Sequence, residues 1–176
     1  LAKLLVHCYD VNSGSISIGG ENICDMSLET LNNLVSYVSQ DNFLFNTTLM
    51  ENIRIGKPNA TDEEVIEAAK KAQCMEFIKK FPEGFKTLAG DCGNQLSGGE
   101  KQRITLARAI LKNAPIIILD EATAFADTEN EAKIEAAISE FVHNKTLIVI
   151  AHRLSSIINA DQICVLKAGE IIGCGV

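Results

Sequence analysis

Three expected strands in this 176-residue chain end on residues that can do proton or metal chemistry. Leu34 to Ser39 ends at Gln40, "IIILD" runs into Asp120 and Glu121, and "TLIVIAH" ends at His152. If these runs are neighbouring parallel strands, their polar ends gather on one rim, which is where such sheets bind ligands. Asp120 and Glu121 are adjacent, so an extended backbone points them in opposite directions. They are therefore not a proton-sharing dyad. Asp120 suits Mg2+ held through water, because that ion takes few carboxylates. Glu121 suits polarising an attacking water. Plainer readings stand beside these. An acidic pair can simply mark a strand leaving the core, a lone histidine is more often structural than catalytic, and a polar residue after a strand is commonplace.

The stretch "NQLSGGEKQRITLARAI", Asn94 to Ile110, poses a second question. It predicts a helix over Gly98 to Leu111, yet that helix begins with Gly98 and Gly99. Each glycine costs roughly 1 kcal/mol relative to alanine inside a helix. Ser97 followed by Glu100 fits a capping box, in which hydroxyl and carboxylate satisfy orphan backbone donors. That accounts for Ser97 and Glu100 and leaves the glycines unexplained. The other reading is an anion, since bare amides at the positive end of a helix dipole suit a phosphate. On this stretch alone both readings stand.

The elements that must position these residues follow from periodicity and punctuation. Leu1 to Tyr9 reads as a helix that opens on apolar residues without a cap. Ser15 to Ile18 alternates and Gly19-Gly20 turns it, which predicts a hairpin strand. Ser27 to Asn33 reads as a short helix. Thr61 to Ala72 is a clearer one, with Thr61 and Glu64 as a capping box and Val65, Ala68, Ala69 and Ala72 on one face. Met75 to Phe81 is stopped by Pro82 and Gly84. Leu88 to Gln95 reads as loop and Glu129 to Phe141 as helix. "QICVLKAGEIIGCG" reads as a hairpin through Ala168-Gly169. Strand–helix–strand with wholly apolar strands predicts a buried parallel sheet, hence the α/β class.

Bulk properties narrow the function. The chain is 47% hydrophobic and 22% charged, ordinary for one globular domain with a real core. Its charge of −7, from 23 acids against 16 bases, argues against broad electrostatic binding of nucleic acid. No run of about 18 apolar residues predicts a membrane span within these residues, and no signal peptide is visible. The six cysteines form no C-x-x-C pair and read as reduced thiols of a cytosolic compartment. His7, His143 and His152 lie at no ligand spacing with another His or Cys, which argues against a metal centre built from them.

Taken together, the motifs resemble the nucleotide-binding domain of ABC transporters over essentially the whole chain. "LSGGEKQR" resembles that family's signature motif and "IIILDEA" its Walker B strand with the following glutamate. "SYVSQDNFLF" resembles the Q-loop and "IAHRLSSI" the switch histidine. The resemblance implies a P-loop NTPase-like (RecA-like) parallel sheet core with an inserted helical subdomain. Residues 1–40 and 112–176 would be core, and 41–111 the subdomain carrying the Q-loop and signature helix. It implies ATP and Mg2+, and a second such domain as head-to-tail partner. Ser97, Gly98, Gly99 and Glu100 would then face the ATP held by the other molecule, which would explain the bare glycines. Asp120 would hold Mg2+ through water, and Gln40 would sense Mg2+ and the attacking water. Glu121 would orient that water or act as general base, His152 would hold the γ-phosphate, and Asp127 would report across the dimer.

"DNFLFNTTLMENIRIG" resembles the exporter type, with a six-helix membrane domain as further partner and a place at the cytoplasmic face of the membrane. Phe43, Leu44 and Phe45 would help form the groove for that domain's coupling helix, or else belong to ordinary core. Departures from the family pattern matter. No G-x-x-x-x-G-K-[ST] phosphate loop occurs, and "LAKLL" resembles the helix that normally follows it. The adenine-stacking aromatic is also absent, and the chain stops soon after "KAGEIIGCG". The resemblance therefore implies a domain cut at both ends and inactive alone. The D-loop reads Ala124-Phe125-Ala126-Asp127, and in "TLAGDCG" Asp91 stands where a glutamate is usual. Two alternatives are a soluble ABC ATPase acting on DNA or ribosomes and a regulatory domain that does not hydrolyse. The negative charge and short middle segment argue against the first, and Glu121 with His152 against the second.

Overall fold

The computed structural model describes residues 1–120, 138–139, 141–151 and 157–175. From the N-terminus, α1 (Ala2–Leu5) is shorter than the helix expected over Leu1 to Tyr9. His7 takes a left-handed backbone, φ 54°, which no continuing helix tolerates. β1 (Ser17–Ile18) and β2 (Glu21–Asn22) pair antiparallel around Gly19 and Gly20, both at positive φ. α2 (Leu28–Leu34) begins where the Ser27 hydroxyl accepts the Thr30 N–H, and β3 (Val35–Val38) follows directly.

The next four helices make a layer of their own. α3 (Leu49–Arg54) was not anticipated from the sequence; Thr48 caps it by accepting the Glu51 N–H. α4 (Asp62–Lys71) carries the reciprocal Thr61–Glu64 capping box and buries Val65, Ala68 and Ala69, as its periodicity predicts. α5 (Met75–Ile78) stops short of the expected Phe81. α6 (Gly98–Lys112) is the longest, and Asn113 ends it in the left-handed conformation at φ 55°. Leu44, Leu49, Ile53, Val65, Phe77 and Ile104 are among the buried residues these helices share. Gly56, just past α3, sits against α6 so closely that a Cβ there would stand 2.2 Å from the Arg108 carbonyl oxygen.

β4 (Ile116–Asp120) and β5 (Thr146–Ile150) complete a parallel sheet in the order β3-β4-β5. Val35 pairs with Ile116, and Ile116 with Thr146. Alternation then sends side chains to two faces. Val35, Tyr37, Ile118 and Ile148 pack with α1, α2 and Ile23 on one face. Val38, Ile117, Leu119 and Val149 pack with Ala109 of α6 and with Ile138, Phe141 and Val142 on the other. The sheet is thus the middle of three layers, as the apolar runs predict. Residues 138, 139 and 141 are helical; the rest of the helix expected over Glu129 to Phe141 lies outside the described residues.

β6 (Ile163–Lys167) and β7 (Glu170–Gly175) form the expected hairpin, turning at Ala168 and Gly169, both at positive φ. Its register corrects one expectation. Cys164 and Cys174 stand directly opposite, with Cα atoms 4.3 Å apart, and are joined as a disulfide rather than kept as two reduced thiols. Cys8, Cys24, Cys74 and Cys92 are free. No helix among the described residues is long and apolar enough to cross a membrane.

Gly56→Ala forces backbone apart, because the obstructing atom is a carbonyl oxygen and not a movable side chain. Overpacking of this kind costs about 1–3 kcal/mol. Urea unfolding of the variant should show a midpoint lowered accordingly, with an unchanged slope; an unchanged midpoint would mean that the α3–α6 approach is not as close as described.

Candidate functional site

Parallel register decides where the polar strand ends go. Val38 pairs with Leu119 and Asp120 with Ile150, so β3, β4 and β5 end on the same rim of the sheet. Gln40 follows β3 by two residues and is exposed; Asp120 closes β4 and is half-buried. Tyr37 and Asp120 lie on the same face by alternation, and the Tyr37 hydroxyl donates to Asp120 Oδ2 at 2.7 Å. Burial, then this bond, push the Tyr37 hydroxyl well above the ordinary tyrosine range, so it is a fixed donor. His152, Glu121 and Asp127 lie outside the described residues. Immediately after Gln40 the chain turns, with the Asn42 backbone N–H and side-chain amide both donating to the Gln40 carbonyl at 3.1 and 3.3 Å.

At the start of α6 the predicted capping box is present. The Ser97 N–H and hydroxyl both donate to Glu100 Oε2, at 2.8 and 2.9 Å, and the Glu100 N–H points back at Ser97 Oγ at 3.4 Å. Ser97 and Gly98 are exposed, whereas Gly99 is buried. An approaching group therefore meets Ser97 and Gly98 first.

Side chains on α6 connect this turn to the segment after Gln40. The Thr105 hydroxyl donates to Asn42 Oδ1 at 2.8 Å. Arg108 donates to the Phe43 carbonyl at 2.7 Å and to Asn52 Oδ1 at 2.6 Å. Asn52 is fully buried on α3. Its amide donates to the carbonyls of Phe45 and Thr48, each at 3.0 Å, and its oxygen accepts the Phe45 N–H at 2.9 Å. Desolvation lowers Arg108 to about 10, still charged at neutral pH. Its cation is thus held among neutral acceptors, which suits a guanidinium with its five fixed donors.

Sequence reasoning singled out none of Tyr37, Asn52, Thr105 and Arg108. A signal for Asn52 existed: it lies between Leu49 and Ile53 on the apolar side of a short helix, where an amide needs partners. Phe43, Leu44 and Phe45 divide between the two readings given them. Leu44 is fully buried core, while Phe43 and Phe45 are about half exposed at 49% and 52% and meet edge to face, with ring centroids 5.1 Å apart. Asp91 accepts the Asn46 side-chain N–H at 2.8 Å, tying the segment before α6 to the one after Gln40.

Comparison with known proteins places this architecture. A family model described as ABC transporter matches residues 1–124. YgaD of Bacillus subtilis (strain 168), named for multidrug export ATP-binding and permease roles, is 51% identical over 175 residues, covering 99% of this chain and 30% of that protein. ABC transporter B family member 4 of Dictyostelium discoideum is 49% identical over 175 residues, 99% of this chain and 23% of that protein. The structure of a bacterial Atm1-family ABC exporter with ATP bound matches at TM-score 0.94 and 41% identity, over 99% of this chain and 30% of that one. The chain thus spans less than a third of the length of these relatives. The three-layer parallel sheet is a P-loop NTPase-like α/β fold. By this family match and these identities, the chain belongs to the ABC transporter family.

Proposed function

We propose that these residues are part of the ATP-binding and hydrolysing domain of an ABC exporter, in which two such domains close on ATP and so power transport across a membrane. One observation carries the reading: Asp120 and Gln40 end neighbouring parallel strands on one rim, and Asn42 with Thr105 ties that rim to the helix that starts with the exposed Ser97-Gly98 turn. The names of the relatives, which speak of multidrug export and of an exporter with ATP bound, support it. In this reading residues 1–40 and 112–176 belong to the catalytic core and 41–111 to the helical subdomain. Phe43 and Phe45, exposed beside each other, would meet the coupling helix of a membrane domain, at the cytoplasmic face of the membrane.

The residues fit Mg2+. Asp120 is a half-buried carboxylate with one oxygen oriented by Tyr37, and Gln40, two residues past the end of neighbouring β3, would supply an amide oxygen, which is the hard-donor chemistry that ion takes. When bound, it would neutralise charge building on the phosphate oxygens. Glu121 would then orient water, or take its proton, as the water oxygen bonds in line to the γ-phosphorus and the bond to the departing ADP oxygen breaks. His152 would hold the γ-phosphate and that water. Ser97 and Gly98 of a second molecule, with Gly99 and Glu100 behind them, would offer hydroxyl and amide donors to the γ-phosphate. Asp127 would carry the state of one site to the other. Such catalysis is positioning plus electrostatic stabilisation.

In the intact transporter, Glu121→Gln should lower vanadate-sensitive ATP hydrolysis by about 100-fold or more, the usual scale for a lost general base, while ATP binding persists. Hydrolysis at the parental rate would remove Glu121 from the mechanism. The 176 residues contain no match to the phosphate-loop pattern, whose amides and lysine hold the phosphates. Calorimetry on this chain alone should therefore detect no ATP binding and thermal unfolding no ATP-dependent shift; a micromolar affinity would contradict the proposed division of labour.

A further inference from the structure

His7 and Asp10 follow α1, and Cys24 follows β2, yet the fold brings the three side chains together. His7 Nε2 lies 2.9 Å from Asp10 Oδ1 and 3.9 Å from Cys24 Sγ. One donor atom from each residue falls within 4.8 Å of the others, and among the described residues this is the one such group of histidine, cysteine and carboxylate. None of the three belongs to the ATP site proposed above.

A surface His–Asp pair is ordinary and needs no ligand to account for it. It leaves Cys24 unexplained, because the thiol is turned to the same imidazole nitrogen. That placement is built by the backbone. The Cys24 N–H is held by Asn22 Oδ1 at 3.1 Å. His7 sits at φ 54°, a conformation uncommon for a residue with a side chain, with its N–H donating to the Leu4 carbonyl at 3.0 Å. The imidazole is largely covered while the Asp10 carboxylate is exposed, at 19% and 86% side-chain exposure.

We propose that His7, Asp10 and Cys24 form a site for a soft divalent transition-metal ion of the Zn2+ class, with a fourth position for water. Imidazole, thiolate and carboxylate are the donors that ion selects. A tetrahedral Zn2+ with ordinary bond lengths separates nitrogen from oxygen by about 3.4 Å and nitrogen from sulfur by about 3.6 Å. The observed 2.9 and 3.9 Å differ from those values by a few tenths of an ångström, which small side-chain rotations at exposed Asp10 and Cys24 span. Binding would release the Cys24 thiol proton. The ion would join the end of α1 to the turn after β2, over the cluster that holds Ala2 and Ile23. The linear sequence concealed the site because His7 and Cys24 are 17 residues apart, outside any short ligand spacing.

The test uses the metal-stripped protein in a Cys164→Ser, Cys174→Ser background with the remaining thiols kept reduced, titrated with Co2+ and then Zn2+. One equivalent of Co2+ should give thiolate-to-cobalt charge-transfer absorption, which one equivalent of Zn2+ bleaches. Cys24→Ser and His7→Gln should abolish the band or weaken Zn2+ binding by at least ~100-fold, the upper end of what losing a mere outer-shell partner costs. Cys8→Ser, beside the site but outside it, should leave the band intact, and circular dichroism should find all three variants folded. The proposal is overturned if the parent protein gives no band, if the band survives in Cys24→Ser, or if Cys8→Ser removes it.

Discussion

Parallel pairing of β3, β4 and β5 is the constraint from which the rest follows. Strands that run the same way must all finish on the same edge, so their last residues share one rim whatever their side chains are. The same constraint shapes what lies between them. A chain leaving one parallel strand has to cross back before it can enter the next, and no tight turn does that. Residues 39–115 make that return from β3 to β4, and α3 to α6 fill it. The helical layer is therefore the crossover enlarged, and α6 is the arm that brings the chain home.

α6 consequently has to satisfy two neighbours at once. Ala109 packs on the sheet with Ile117 and Leu119, while Ile104, Leu106 and Ala107 belong to the core of the helical layer. Its apolar surface wraps round the helix, wider than the single stripe of a surface helix. Two of the polar residues that remain on it are committed to hydrogen bonds outside the helix. Thr105 and Arg108 hold the segment after Gln40, and the buried Asn52 completes the join. Buried polar groups are costly unless paired, so this network has one well-satisfied arrangement. It makes α6 and the Gln40 turn parts of one body.

At the rim, alternation does quieter work. Tyr37 and Asp120 reach one another because each strand places them on the same face, two residues out of direct register. A phenol that stays protonated is a fixed donor, so one carboxylate oxygen is oriented. The orientation of Asp120 thus depends on a residue whose own strand was read only for the glutamine that follows it.

What the amino-acid order determined by itself was decided within a few residues. The Thr61–Glu64 and Ser97–Glu100 capping boxes, the buried face of α4, the hairpin turns at Gly19-Gly20 and Ala168-Gly169, and the apolar strands of a parallel sheet are local matters of hydrogen bonding and periodicity. The motif residues of the candidate site were legible for the same reason, since spacing along the chain carries them. Tertiary structure alone decided the rest. The cross-strand Cys164–Cys174 bond, the meeting of His7 with Cys24 and the Asn52–Arg108 join all depend on register or on segments brought together from elsewhere in the chain. The Cys164–Cys174 pair lies within one hairpin and needed only the register that periodicity does not fix, whereas His7 with Cys24 and Asn52 with Arg108 meet only after the entropy of closing longer loops has been overcome by burial of apolar surface.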